Sequence, residues 1–389
     1  MKILFITDLY PIKPEEVTTP VTLHNFVIEW IRQGNKVDVI KPNFIFNSFL
    51  RGKRFYPYGF YDYQGVRVLN INYFTPFLFD VEKKIPKSFD FNNYDIIIAH
   101  MPTGIIYANK MPNKELQPLV CGVHHSDIEV LTNPLYKFYF KNQLIEAYKK
   151  AKKIACRSFV LQKKFNELMP DLADRTFVTP SGINSDEITI MPYNLPFSIS
   201  SFFHRASQLP LISAERSIKV LTCANLIKRK NIDKLILAME NLEGFDLTVV
   251  GDGKELGNLK NLRNRAELLS HKHKVTFLGR LPHEKVLEEM QKADIFILPS
   301  VNETFGMVYL EAMASSCITV CTKGDGVDGI IKDSENGFLC EPTIEGIKEV
   351  LLKIKNCEKL EKIAKNSFET IKQYTQENCA KNYLINISK

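Results

Sequence analysis

Residues 293–314 read ADIFILPSVNETFGMVYLEAMA, and this stretch decides the fold. The apolar run from Ala293 to Leu298 predicts a buried parallel strand, which the following Pro-Ser pair ends. From Gly306 onward the apolar positions recur at helical spacing, so a helix should follow. A strand, a loop and a helix N-terminus in this order are typical of the edge at which α/β sheets bind ligands.

Two glutamates of this stretch are predicted to reach one ligand from different depths. Glu303 stands in the loop, and Glu311 stands more than a turn inside the helix. The free N–H groups near Gly306, Met307 and Val308, with the positive end of the helix dipole, suit a phosphate. Because carboxylates repel a phosphate, they would bind neutral hydroxyls beside it, and the pattern suggests a sugar attached to phosphate. An ordinary strand-loop-helix with two solvated acids explains the spacing equally well.

The motif PSVNETFGMVYLEAMA, with Glu303 and Glu311 as E-x7-E, resembles the donor-site signature of retaining glycosyltransferases with the GT-B fold. In that family the second Glu holds the ribose hydroxyls of a nucleotide sugar. The first Glu, with the amides that follow it, holds the transferred sugar. The resemblance therefore implies donor-binding roles for both glutamates and for the residues between them, namely Phe305, Gly306, Met307 and Val308.

Strand-like and helical stretches alternate in both halves of the 389-residue chain, which predicts an α/β fold with parallel sheets. The resemblance implies the GT-B architecture, in which two Rossmann-like domains face each other across a cleft. We predict an N-terminal acceptor-binding domain over 1–184 and a linker over 185–217. A C-terminal nucleotide-sugar-binding domain should cover 218–365, and a C-terminal helix over 366–389 could return to the first domain.

Composition and the absence of several motifs narrow the range of proteins to which this sequence could belong. With 45% hydrophobic and 24% charged residues the chain is typical of soluble globular proteins, and its N-terminus reads as a first strand, which predicts a cytoplasmic protein. The eight cysteines lack metal-ligand spacing, so we expect neither a disulfide nor a metal. No G-x-G-x-x-G follows the first strand, so no dinucleotide cofactor is expected. The net charge of +7 suits several anions, but no nucleic-acid-binding signature is present, and no nucleic-acid partner is expected.

Three consecutive cations, Lys228 to Lys230, follow a predicted strand and precede a predicted helix. This placement suits a diphosphate, although a solvated basic turn is an alternative. The resemblance matches Lys230 to the diphosphate-binding Lys of the family and puts Asn225 where the family has an Arg, so Arg229 or Lys228 would have to compensate. By the same resemblance two turns after strands complete the donor site, those at Gly251 and Leu278.

Polar residues also follow strands in the first half of the chain. The stretch VHHSD at 123–127 resembles the family's H-G-x-D segment, which implies that His124 lies beside the transferred sugar. Without the resemblance, a lone His at a strand end is more often structural. Asp127 and His100 are weaker candidates on the acceptor side. The predicted catalytic set is therefore His124, Lys230 and Glu303.

Two stretches that mix aromatic and basic residues, 44–61 and 136–141, have the composition of loops at an anionic membrane surface. A loop whose aromatics fold into their own domain, and a solvated basic helix, are the alternatives. The loop at 10–20 has no glycine, whereas the family commonly carries paired glycines there. A contact from this loop to the donor phosphate is therefore left open.

Together these motifs predict a retaining, metal-independent glycosyltransferase that needs no cofactor. It would move a sugar from a UDP-sugar, or less favourably a GDP-sugar, to a hydroxyl of a glycan or lipid-linked acceptor. The expected setting is polysaccharide or lipopolysaccharide synthesis, with the inner membrane face as a further partner. Three alternatives remain: a nucleotide-sugar 2-epimerase of the same fold, a nucleic-acid-binding protein, and a non-enzymatic membrane-docked subunit.

Overall fold

The computed structural model describes residues 1–12, 21–44, 58–73, 93–111, 118–136, 140–189, 217–240, 242–269 and 274–388. The chain divides into two compact units. The first contains Met1–Ser181 and Gln376–Lys389, and the second contains Gly182–Thr375. Each unit is built on one largely or wholly parallel sheet, so the predicted fold class of two Rossmann-like α/β domains is confirmed.

The first unit has an eight-stranded sheet. In chain order its strands are β1 (Lys2–Ile6), β2 (Lys36–Phe44), β3 (Gly59–Tyr63), β4 (Val66–Tyr73), β5 (Ile96–Ala99), β6 (Leu119–Val123), β7 (Lys153–Cys156) and β8 (Thr176–Val178). Their order in the sheet is β3-β4-β2-β1-β5-β6-β7-β8, and only β3 runs antiparallel to its neighbour. The order reverses between β1 and β5, which is the kind of position at which open α/β sheets bind ligands.

Among the described residues five helices connect these strands: α1 (Thr22–Arg32), α2 (Pro102–Asn109), α3 (His125–Thr132), α4 (Phe140–Lys150) and α5 (Phe159–Leu168). Short 3-10 turns lie at Pro134–Tyr136 and Pro170–Arg175. The inward side chains of β1, β5 and β6 are almost entirely apolar and form one core with α2 and α4. Burial of these strands on both faces explains why their sequences are continuous apolar runs.

The second unit has a six-stranded parallel sheet. Its strands are β9 (Ile218–Cys223), β10 (Phe245–Val250), β11 (Val275–Gly279), β12 (Ile295–Leu298), β13 (Ile318–Thr322) and β14 (Phe338–Cys340), in the order β11-β10-β9-β12-β13-β14. Its helices are α6 (Ser185–Thr189), α7 (Ile232–Met239), α8 (Leu256–Leu269), α9 (His283–Lys292), α10 (Met307–Ala314), α11 (Ile344–Lys355) and α12 (Leu360–Ile371), with a 3-10 turn at Lys228–Lys230. The strand order reverses between β9 and β12.

Two predicted boundaries need correction. Residues 185–217 do not form a linker throughout, because Ser185–Thr189 form α6, whose Ile188 joins the core of the second unit. Residues 190–216 lie outside the described residues. The last helix, α13, is Gln376–Ser388 rather than 366–389, since the residues up to Ile371 complete α12 and pack on the second core.

Helix α13 belongs to the first unit, although it lies at the far end of the chain. The indole N–H of Trp30 in α1 donates to the Ala380 carbonyl at 3.1 Å. The Tyr383 ring packs edge-on against Trp30 and Phe26, with centroids 5.2 and 5.7 Å away. Burying an aromatic side chain of this size contributes roughly 1.5–3 kcal/mol, so α13 is firmly held.

Much of the two aromatic and basic stretches lies outside the described residues, namely 45–57 and 137–139, as do 13–20 of the glycine-free loop. Tyr58 and Phe60 are exposed, and the Arg67 guanidinium lies 3.9 Å from the centre of the Phe60 ring. No helix within the described ranges combines the length and the apolar character that crossing a bilayer requires.

Candidate functional site

The loop between β12 and α10 depends on Gly306. This residue precedes the helix with φ of 93°, and a Cβ on it would lie 2.6 Å from the Tyr309 ring. The Tyr309 hydroxyl donates to the Leu298 carbonyl at 2.7 Å and so ties the first turn of α10 to the end of β12. No side chain of the described residues caps the start of α10. Its first N–H groups are therefore directed to the carboxyl edge of the sheet.

Glu303 is ion-paired with two of the three predicted cations. Its Oε1 accepts from Arg229 Nη1 at 2.8 Å and from the Lys230 ammonium and the Ser300 hydroxyl in shorter bonds. The Glu303 side chain is 11% exposed and that of Lys230 is 12% exposed. Burial raises the pKa of Glu303, but the Lys230 ammonium, the Ser300 hydroxyl and the Arg229 guanidinium together outweigh burial, so the net pKa lies below the ordinary value. Glu303 is therefore a carboxylate that fixes both cations.

The basic turn at 228–230 is docked on the glutamate loop. The Val301 N–H donates to the Arg229 carbonyl at 2.9 Å. Asn231, directly after the turn, has a left-handed backbone with φ of 52°, and its side-chain amide donates to the Pro299 carbonyl at 2.8 Å. Asn is one of the few residues other than Gly that adopt this conformation readily, so the turn can close here without a glycine.

Glu311 has a different environment from Glu303. Within the described ranges its carboxylate accepts no hydrogen bond, and burial raises its pKa to about 7. The imidazole of His283, at the start of α9, acts against this shift, and the carboxylate of Glu187 in α6 adds to it. His283 Nε2 lies 3.3 Å from Glu187 Oε1. Neither Glu187 nor His283 was identified from the sequence, because no motif marks them.

Asp325 is a further site residue that the sequence analysis missed. Its carboxylate accepts the N–H groups of Glu303 and Gly326, both at 2.7 Å, and that of Asn302 in a shorter bond. Asn302 has φ of 60°. The buried Asp325 therefore holds the loop in the shape that presents Glu303 to the cations. A polar residue between two glycines just after β13 was the available signal, since β13 ends at the same edge as β12.

The other predicted donor residues follow neighbouring strands. A Cβ at Gly251 would lie 1.8 Å from the Ala224 carbonyl oxygen, so only glycine allows the turn after β10 to approach the turn after β9. Asn225 Oδ1 lies 2.7 Å from the Cβ position of Gly253. Leu278, in β11, is 38% exposed. Because β11, β10, β9 and β12 are adjacent, their carboxyl ends bring these residues to one edge of the sheet.

The next helix, α10, completes this edge. Phe305 is buried, and Met307 and Val308 pack partly against the core of the second unit. Their side chains therefore stabilise the loop, which leaves the backbone N–H groups as the part of this segment that can meet a ligand. The predicted donor site thus combines fixed cations, helix N–H groups and the Glu311 carboxylate.

His100, His124 and Asp127 form a buried cluster in the first unit. His100 Nδ1 lies 2.8 Å from His124 Nε2, and the His124 backbone N–H donates to Asp127 Oδ2 at 2.9 Å. The Tyr148 hydroxyl donates to Asp127 Oδ1 at 3.0 Å. Asp127 therefore serves to hold the start of α3, and it is fully buried. These residues follow β5 and β6, close to the reversal of strand order in this sheet.

The ionisation of the cluster follows from its burial. Burial lowers the pKa of both His100 and His124 well below the ordinary value, and the Arg157 guanidinium lowers both further. The two imidazoles are therefore neutral at neutral pH. Burial raises the pKa of Asp127 to about 8. His124 lies in the first unit, whereas Lys230 and Glu303 lie in the second.

Comparison with known proteins shows which family the second unit resembles. Residues 209–370 match the family described as "Glycosyl transferases group 1". The second unit is therefore similar in sequence to group 1 glycosyltransferases over most of its length. An uncharacterized glycosyltransferase of Methanocaldococcus jannaschii is 28% identical over 290 residues, which cover 73% of this chain and 72% of the relative.

Solved structures match the whole chain in fold. HepE of Anabaena, solved in complex with UDP, has a TM-score of 0.71 at 19% identity, with 100% of both chains covered. WaaG, a glycosyltransferase involved in lipopolysaccharide biosynthesis, has a TM-score of 0.62 at 16% identity, again over 100% of both chains. The fold of this chain is therefore that of GT-B glycosyltransferases. The group 1 match contains the whole predicted donor set, from Asn225 to Glu311.

Proposed function

We propose that this protein is a retaining glycosyltransferase that uses a UDP-sugar as donor and a hydroxyl compound as acceptor. The observation that carries the proposal is the cluster of Lys230, Arg229 and Glu303 at the carboxyl edge of the second sheet, beside the N-terminus of α10. HepE was solved in complex with UDP, which favours UDP over GDP as the nucleotide. The matches described above are glycosyltransferases, which favours transfer over epimerisation, nucleic-acid binding or a purely docking role.

Cations and N–H groups would hold the diphosphate of the donor, and a carboxylate would hold its ribose. Two cations against one carboxylate leave an excess positive charge at Lys230 and Arg229, which suits the diphosphate. The free N–H groups at the start of α10 add donors for the phosphate oxygens. The carboxylate of Glu311 would accept the two ribose hydroxyls, since it has no partner of its own among the described residues.

Catalysis would rest on stabilising the leaving group. The bond between the sugar C1 and the β-phosphate oxygen breaks, and a bond from C1 to the acceptor oxygen forms on the same face. The acceptor proton passes to the departing phosphate, so no covalent enzyme intermediate and no metal are needed. Lys230, Arg229 and the α10 N–H groups would stabilise the charge that develops on the diphosphate, a type of contribution worth about 2.7–4 kcal/mol for each group.

The acceptor would be a glycan or a lipid-linked saccharide. WaaG acts in lipopolysaccharide biosynthesis, which supports an acceptor of this class. Tyr58, Phe60 and Leu135 are exposed aromatic or aliphatic side chains of the first unit, and α4 ends in Lys149 and Lys150. Aromatic and basic side chains of this kind favour contact with an anionic membrane surface. We therefore include the cytoplasmic membrane face in the proposal.

The experiment that tests the donor site measures melting temperature with UDP, GDP, UDP-sugars and GDP-sugars. A ligand that binds only the folded protein raises the melting temperature. We expect a rise with UDP and one UDP-sugar, and we expect Lys230→Ala to remove it. Lys332→Ala is the matched control, because Lys332 pairs with Glu335 on the exposed surface of the same unit. The proposed site would be refuted if no ligand raised the melting temperature, or if Lys230→Ala and Lys332→Ala lost the rise equally.

A turnover assay then tests the chemistry. The protein is incubated with the stabilising UDP-sugar, and release of UDP is measured with and without candidate acceptor saccharides. We expect Lys230→Ala to lower kcat by a factor of about 10² to 10³, as the loss of one charge-stabilising group does. Near-normal turnover in that variant would contradict the leaving-group role.

A further inference from the structure

Glu303 shares a small, mostly buried cluster with two cations and a hydroxyl. Its Oε1 accepts from Arg229 Nη1 at 2.8 Å, and it also accepts from the Lys230 ammonium and the Ser300 hydroxyl. Only 11% of the Glu303 side chain and 12% of the Lys230 side chain are exposed, so salt screens this pair weakly. The cluster therefore holds two positive charges and one negative charge close together.

The negative charge of this cluster is a fixed feature of the site. Burial raises the pKa of Glu303, but Lys230, Ser300 and Arg229 together outweigh burial, so the side chain is a carboxylate at neutral pH. Asp325 accepts the backbone N–H of Glu303 at 2.7 Å, which holds the loop that carries this carboxylate. A ligand that contacts the two cations must therefore also meet the carboxylate.

A phosphate bound by Lys230 and Arg229 would lie next to Glu303. An ammonium has three N–H donors and a guanidinium has five, so both cations keep donors beyond those directed to the carboxylate. Two oxygens that share one ammonium lie roughly 4.5 Å apart when each N···O distance is about 2.8 Å. At this separation Glu303 repels each negative charge on the phosphate, while the cations attract it.

The donor and the product of the proposed reaction differ in charge at this point. In a UDP-sugar the β-phosphate has one ionisable oxygen, because another of its oxygens is bonded to the sugar. The transfer breaks the bond from the sugar to that oxygen, which receives the acceptor proton. A terminal phosphate has a second pKa of about 6, so at neutral pH this proton passes to water and the phosphate of UDP carries up to about two negative charges.

We propose that Glu303 is a specificity-determining residue that distinguishes the UDP-sugar from UDP by charge and so promotes release of the product. The two cations offset the single charge of the donor β-phosphate, whereas the carboxylate disfavours the second charge that UDP acquires. This inference rests on the proposed function, which assigns the diphosphate to Lys230 and Arg229. A neutral side chain with the same hydrogen bonds would hold the cations equally but would not repel the product.

The test compares UDP with its β-methyl ester, in which the terminal phosphate keeps a single negative charge. Affinities are measured by calorimetric titration at pH 8 for the wild type and for Glu303→Gln. Gln retains the Oε1 acceptor for Lys230 and Arg229 but has no charge. The matched control is Glu335→Gln, because Glu335 pairs with Lys332 on the exposed surface of the same unit.

We expect Glu303→Gln to raise the affinity for UDP, relative to that for the ester, by at least about fivefold, the effect of two unit charges about 4.5 Å apart at the dielectric constant of water. Glu303→Ser also removes the charge and should give a relative gain of the same sign, whereas Glu335→Gln should give none. Equal changes for UDP and the ester in the Glu303 variants would overturn the proposal.

A second titration at pH 5 uses the ligand's own charge as a control. There the terminal phosphate of UDP is mostly protonated and carries about one negative charge, as in the ester. The relative gain of Glu303→Gln should therefore disappear. Glu311 is protonated at pH 5, but this affects both ligands alike and leaves their ratio unchanged. A relative gain that persists at pH 5 would also overturn the proposal.

The proposed function can fail separately from this inference. If the wild type binds UDP but transfers no sugar, the proposed function is wrong, while the ratio of the two affinities still shows whether Glu303 distinguishes the two phosphates. If the wild type binds neither compound, both the proposed function and the role of Glu303 are wrong.

Discussion

Replacing Glu311 with Gln should stabilise the protein and at the same time abolish donor binding. Burial raises the pKa of Glu311 from its ordinary 4.5 to about 7. Above pH 7 the folded protein therefore carries a buried carboxylate that is ionised at a free-energy cost. Gln has nearly the same shape as the protonated acid and has no charge at any pH, so it removes this cost.

Proton linkage gives the sign and the size of the change in the free energy of unfolding. Between pH 4.5 and pH 7 the unfolded chain has released the Glu311 proton while the folded chain retains it, so the contribution of this group to stability is lost as pH rises. The full loss is at most about 3 kcal/mol, since one pKa unit corresponds to about 1.36 kcal/mol. The free energy of unfolding of Glu311→Gln relative to wild type should therefore increase by about 2 kcal/mol between pH 5.5 and pH 8.

The assay is urea unfolding at pH 5.5 and pH 8, followed by far-UV circular dichroism. The sole tryptophan, Trp30, lies in the first unit, so its fluorescence distinguishes the transition of that unit from the transition of the second. Glu349→Gln is the matched control, because Glu349 is exposed in α11 of the same unit. A difference between Glu311→Gln and wild type that does not change with pH would refute the reasoning.

Substitutions at Asp325, Gly251 and Asn231 test how the turns at the carboxyl edge of the second sheet are held. Asp325→Asn removes a carboxylate that accepts three N–H groups, so donor affinity should fall about tenfold by calorimetric titration with UDP. Gly251→Ala should lower the free energy of unfolding by about 3 kcal/mol in urea, whereas Gly257→Ala, with nothing within 4 Å, should raise it by roughly 0.5–1 kcal/mol. Asn231→Ala should destabilise the protein by about 1 kcal/mol more than Asn231→Gly, because only Gly keeps the left-handed backbone.

The fold could be predicted from the sequence because its signals are local. Each parallel strand is a short apolar run, and the turns that follow them carry Gly, Pro or polar residues. The boundaries of helices and domains were harder to predict from the sequence. Helix α6 has only five residues, Ser185–Thr189, too few for a periodic pattern, and the helical pattern before α13 does not reveal which unit each turn packs on.

The chemistry of the site was predictable only in part, since its decisive contacts join residues far apart in the chain. Asp325 contacts Glu303 across 22 residues, and His283 contacts Glu187 across 96. Neither pair forms a motif with regular spacing. By contrast, the Lys228–Lys230 turn is one contiguous run, so its position at a strand end could be inferred directly.

The two glutamates of E-x7-E show why spacing alone could not assign their roles. Both follow β12 and both are largely buried, so desolvation favours the protonated form of each. For Glu303 the Lys230 ammonium, together with Ser300 and Arg229, reverses that preference, and the carboxylate pairs with Lys230 and Arg229. For Glu311 no cation contacts the carboxylate among the described residues, so its oxygens remain able to accept hydrogen bonds. An ionised carboxylate that is buried without a partner costs stability unless a ligand supplies hydrogen bonds to it. Of the two glutamates we therefore propose Glu311 as the one that binds the donor hydroxyls.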